Sequence, residues 1–143
     1  MRIKTLLSIV ALATTSATGF AQNTQSAVFI DASAPDMQGG RLVYAVKEQI
    51  RKSASMRLVD AEKESGFQLH ISTLDPDNSN WRTIYSMTVT VVNFSAPASF
   101  SMYLDSTVGS CGANVIDQCA NSIVARLDTS VSGIRAALAS QKK

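Results

Sequence analysis

Phe67-Gln68-Leu69-His70-Ile71-Ser72 is the stretch whose reading decides the fold. Phe67, Leu69 and Ile71 take one side of an extended chain, and Gln68, His70 and Ser72 take the other, because successive strand side chains point to opposite faces. The alternation returns twice. Tyr85, Met87, Val89 and Val91 alternate with Ser86, Thr88 and Thr90. Phe100, Met102, Leu104 and Val108 do the same against Ser99, Ser101, Tyr103 and Asp105. Three consecutive period-2 segments, each with a polar side, predict an antiparallel sheet covered on one face only.

Working outward, Ala27–Asp31 is a short strand closed by the turn-rich Ala32-Ser33-Ala34-Pro35-Asp36. Leu42, Val43, Val46 and Ile50 share one face of a helix from about Gly40 to Ser53, entered at Gly39-Gly40. Its polar side carries Arg41, Lys47, Glu48, Arg51 and Lys52, and Met56–Asp60 then reads as a strand. On the far side of the sheet segments, Asn114 suits an N-cap, with Asp117 in the first turn. Ile116, Ala120, Ile123, Leu127, Val131, Ile134 and Leu138 keep helical spacing to about Ser140. Gly133, which costs on the order of 1 kcal/mol inside a helix, marks a place for a break. The sum is an α+β fold: a two-layer α/β sandwich whose mainly antiparallel sheet of about five strands carries two helices on one face, in the order β-α-β-β-β-β-α.

Leu42–Ser72, LVYAVKEQIRKSASMRLVDAEKESGFQLHIS, reads as helix, serine turn, a strand ending in Val59-Asp60, an acidic turn and a second strand. It resembles the small α/β domains of bacterial envelope proteins related to the TolB N-terminal domain and to CsgG- and LpoB-like proteins. That resemblance implies action through protein contacts rather than catalysis, and it transfers no functional residue.

The start of the chain predicts export. Arg2 and Lys4 precede the apolar run Leu6–Ala13, and Gly19 and Ala21 place small residues at −3 and −1 before Gln22, the layout of a cleaved secretory signal peptide. Residues 1–21 are therefore expected to be removed and residues 22–143 to form a single globular domain. No membrane span is expected after processing. The 13 basic and 11 acidic residues include Arg2 and Lys4, so the expected mature chain is formally neutral. Neutrality gives no general argument for nucleic acid or an anionic membrane as partner. Local basic patches remain open, notably Lys47, Arg51, Lys52 and Arg57.

Cys111 and Cys119 are the only cysteines. In an oxidising compartment they are expected to form one disulfide, between the end of the last strand and the first turns of the last helix. No C-x-x-C pair exists and the single histidine, His70, is remote in sequence, so neither a metal nor a redox pair is expected.

No catalytic constellation is legible. His70 falls on a polar strand face with no identifiable partner, and Gly109-Ser110-Cys111-Gly112 does not match a nucleophile elbow. Asp75-Pro76-Asp77-Asn78-Ser79-Asn80 is rich in oxygen ligands. It has Asn80 where a calcium loop needs glycine and Ser86 where it needs glutamate, so it reads as a hairpin connection. Asp60, Glu62 and Glu64 read as a solvated acidic turn. Trp81, Arg82 and Tyr85, beside the hairpin, are the preferred partner-binding candidates, with Arg51 and Arg57 as the second group. The expectation is a periplasmic or secreted, non-enzymatic protein, without cofactor, that binds another protein of the envelope through a sheet edge, a helix face or the hairpin. A small inhibitor or immunity protein blocking an exported enzyme is the alternative, and a hydrolase the third.

Overall fold

The computed structural model describes residues 25–93 and 100–141; the expected signal segment lies outside them. The elements run β1 (Ser26–Ser33), α1 (Met37–Arg51), β2 (Met56–Val59), β3 (Phe67–Leu74), β4 (Arg82–Asn93), β5 (Phe100–Gly112) and α2 (Ile116–Ser140). A short 3-10 turn, Glu62–Glu64, sits between β2 and β3. The element order and class are those the periodicity predicts.

One five-stranded sheet has the order β2-β1-β3-β4-β5. β3, β4 and β5 form the antiparallel meander, with His70 opposite Thr88 and Thr88 opposite Ser106. β1 pairs in parallel with both β2 and β3, so the sheet is mixed. That follows from α1, which returns the chain so that β2 runs alongside β1 in the same direction. A bulge at Val89/Thr90 pairs Val89 with Asp105 and Thr90 with Tyr103, leaving Leu104 without a partner.

Both helices pack on one face. Val28, Ile30, Leu69, Ile71, Met87 and Val89 meet Leu42, Val46 and Ile50 of α1 and Ala120, Ile123 and Leu127 of α2 in one buried cluster. Full burial of one such aliphatic side chain contributes about 1.5–3 kcal/mol, so this face holds the fold together.

Helix boundaries differ from the periodic reading at both N-termini. α1 starts at Met37, not Gly40, because Asp36 caps it: its carboxylate accepts the Gly39 N–H at 2.7 Å. Gly39 is then forced, since a Cβ there would lie 1.9 Å from Thr73 Oγ1. At α2, Val115 and not Asn114 is the N-cap, and no side chain completes the cap. α2 runs unbroken through Gly133. That residue is exposed while Val131 is buried and Ile134 packs against the core, so packing outweighs the propensity cost. Cys111 near the end of β5 and Cys119 in the first turns of α2 are joined as a disulfide, with Cα atoms 6.1 Å apart.

Candidate functional site

At one end of the sheet three connections converge: β1 to α1, β3 to β4, and β5 to α2. The β3–β4 hairpin tip is built by its own polar residues. Asp75 accepts backbone N–H groups from Asp77 at 3.1 Å and Asn80 at 2.7 Å. Those bonds, the Asn80 one foremost, hold its carboxyl below the ordinary range. Asn78 and Asn80 adopt positive φ, 51° and 58°, a region asparagine enters more readily than most residues. Arg82 donates to Asp77 at 2.8 Å across the base of the tip.

The tip is also tied to its neighbours. Gln38, buried in the first turn of α1, donates to the Asn80 carbonyl at 2.7 Å. The Ala113 N–H, beyond β5, donates to the Trp81 carbonyl at 2.8 Å. Below them, Asp36 takes hydroxyl donors from Thr73 at 2.6 Å and Thr83 at 3.2 Å. Partial burial pushes the Asp36 carboxyl upward. The bonds from Thr73, the Gly39 N–H and Thr83 together outweigh that and hold it below its ordinary value of 3.8. The result is a hairpin clamped on both flanks that presents Trp81 at 72% exposure.

Beside it, a groove of about 680 Å³ opens between the start of α1 and the start of α2, lined by Met37, Arg41, Tyr44, Val115 and Asp117 among others. Met37, Tyr44 and Val115 are all exposed. Its lining is chemically mixed: Arg41, which donates to Gln38 Oε1 at 2.9 Å, lines it with Met37 and Tyr44.

The sequence candidates are only partly brought together. Trp81 and Arg82 sit at the hairpin. Tyr85 departs from that group: it lies on the helix-covered side, half-buried against the core and stacked over Gly109, where an added Cβ would fall 2.5 Å from its ring. Strand alternation separates it from Arg82, three residues away. Arg51 pairs with Glu48 on its own helix, and Arg57 is exposed on edge strand β2. His70 lies on the open face, its Nδ1 3.1 Å from Asp31 Oδ2 and its Nε2 3.5 Å from Thr90 Oγ1. The oxygen atoms of Asp75 and Asp77 are engaged in closing the hairpin, and no cluster of three metal-ligating side chains occurs among the described residues. Glu62 of the acidic turn accepts from Gln68 at 2.9 Å. Asp36 and Gln38, the residues that fix the hairpin, were not singled out from sequence. The signal that reveals Asp36 is an N-cap residue three places before Gly39, overshadowed by the Gly39-Gly40 pair.

No helix among the described residues is long and apolar enough to cross a membrane. No protein-family model matches the sequence, and no curated protein is detectably similar to it. A solved structure does share the fold. The hypothetical protein CT253 of Chlamydia trachomatis aligns with a TM-score of 0.52 at 10% identity, over 76% of this chain and 99% of that one. A candidate lipoprotein of Caulobacter crescentus aligns at 0.35 and 14% identity, over 74% and 90%. The rare lipoprotein B of Shewanella oneidensis aligns at 0.29 and 11%, over 82% and 100%. The Chlamydia match is a likeness of fold alone.

Proposed function

We propose that this chain is an exported, non-enzymatic protein of the bacterial envelope that acts by holding another protein, with Trp81 as the central anchor of the contact. The observation that carries the reading is the exposure of Trp81 on a hairpin fixed by hydrogen bonds from α1 and from the β5–α2 connection. A large aromatic with few rotatable bonds, carried on a backbone that is already fixed, loses little freedom on binding, which is what a hot spot needs. Arg82 flanks it, and the exposed Met37, Tyr44 and Val115 extend the same end of the molecule. The signal-like leader and the resemblance of Leu42–Ser72 to envelope α/β domains support the compartment and the mode of action.

The test is capture of partners from an envelope extract by the mature protein, followed by affinity measurement on the purified partner. Trp81→Ala is expected to weaken binding 10-fold or more, about 1.4 kcal/mol, with an unchanged melting temperature. Undiminished affinity in a folded variant removes the hairpin from the contact. Capture of an exported enzyme whose activity falls on binding would assign the inhibitory role instead.

A further inference from the structure

β5 is the outer strand of the sheet, and its outward N–H and C=O groups have no strand partner among the described residues. Exposed edges are ordinarily protected by lysine, proline, bulges or short length. β5 is 13 residues long and contains no lysine, arginine or proline. Its one charged residue, Asp105, is bonded through both carboxylate oxygens to Arg126 of α2, which also donates to the Ser106 carbonyl at 3.3 Å, so the edge carries no unbalanced charge and its remaining backbone groups are open. The bulge that leaves Leu104 unpaired divides the strand, and Asp105–Gly112 beyond it pairs with β4 in unbroken register. This regular half spans roughly 27 Å at about 3.4 Å per residue.

That half also ends an apolar strip on the open face. Leu74 lies opposite Ile84, and Leu74, Ile84 and Val108 line one shallow depression. All three are exposed, Val108 at 72%. Val108 stands opposite Ser86, diagonal to Ile84, whose own partner on β5 is Ser110.

We propose that this edge pairs with the same edge of a second copy, antiparallel about a two-fold axis through Val108. Antiparallel pairing of a strand with itself satisfies the free backbone groups of both copies. Val108 then faces its own counterpart, and the exposed Leu74, Ile84 and Val108 of each copy lie on the same side of the joined sheet. Because each Asp105 is neutralised within its own chain, like charges do not meet across the axis. The inference is independent of the hairpin contact, which lies in the loops and not on this edge.

Sedimentation equilibrium of the mature wild-type protein at about 100 μM, well above a micromolar Kd, is expected to give twice the monomer mass. Val108→Lys places two ammonium groups directly opposite one another, and like charges so placed repel. The variant is expected to be monomeric with its melting transition preserved, and Val108→Glu likewise. An equimolar mixture of the two is expected to recover the dimer, since lysine then faces glutamate. A monomeric wild type overturns the proposal, as does a dimer that both variants leave intact. A mixture that stays monomeric overturns the Val108-centred register.

Discussion

Leu69 and His70 are adjacent in β3, yet one is fully buried beneath α1 and α2 and the other is part of an open polar row. The row runs Asp31, His70, Thr88, Ser106 from strand to strand. Four strands thus carry two chemistries on alternate residues. The covered face is aliphatic and packs in three dimensions; along this row the open face is hydroxyls, an imidazole and a carboxylate that water can also satisfy, with the exposed Leu74, Ile84 and Val108 nearer the hairpin end. The difference locates stability on one side and leaves the open side, the edge and the loop end free to vary without unfolding the chain.

The sharpest test of that division is a matched pair in one strand. Leu69→Ala removes a side chain with no exposed surface and is expected to cost about 2–5 kcal/mol. Ser72→Ala, three residues on and exposed on the open face, is expected to stay within about 0.5 kcal/mol. Denaturant unfolding of both checks it. Equal losses would mean that the open face is packed against something in solution.

Next in size is the disulfide, which ties α2 to the covered face at the edge of the sheet. Closing a loop this short restricts the unfolded chain by roughly 2.5 kcal/mol. Reduction is therefore expected to lower the melting temperature, and denatured oxidised protein is expected to have no titratable thiol. Unreduced and reduced protein melting together would show that packing of Ile116, Ala120 and Ile123 alone holds the helix to the sheet.

The same contrast explains what was readable in the sequence. The covered face announces itself through period 2 in β3 and β4 and period 3.6 in both helices, because burial demands apolar residues at every turn of the pattern; in β5 the bulge shifts the parity, so Val108 goes to the open face instead of the side of Met102. Element order and the packed faces follow from that directly. The parallel placement of β1 between β2 and β3 has no such signature, since pairing direction depends on tertiary crossover and not on alternation. The helix starts escaped for another reason. Asp36 acts through three bonds that join residues 36, 39, 73 and 83, and such a network is invisible to a local window. The contact candidates divided similarly. Trp81 was found by residue type, but Tyr85 went to the covered face, the side on which its alternation with Met87 and Val89 already places it.

The smallest of the three expected losses is at Asp36, where a polar group sits at the rim of the covered face. Its carboxylate caps α1 and holds Thr73 and Thr83, so Asp36→Ala is expected to cost about 1–2 kcal/mol, the range for a lost N-cap. The pH dependence separates charge from shape. The folded pKa lies below the ordinary value of 3.8, so the unfolded chain binds the proton more readily. Stability from the charge is then fully present above about 3.8 and is lost as pH falls through the lower folded value. Asp36→Asn keeps acceptor and size but cannot ionise. Its deficit relative to wild type, measured by denaturant unfolding at pH 6 and again near pH 2.5, is expected to shrink at the acid end. A deficit constant with pH would mean that Asp36 acts by geometry alone. The clamp on the hairpin would then owe nothing to the charge that Thr73, Thr83 and the Gly39 N–H converge upon.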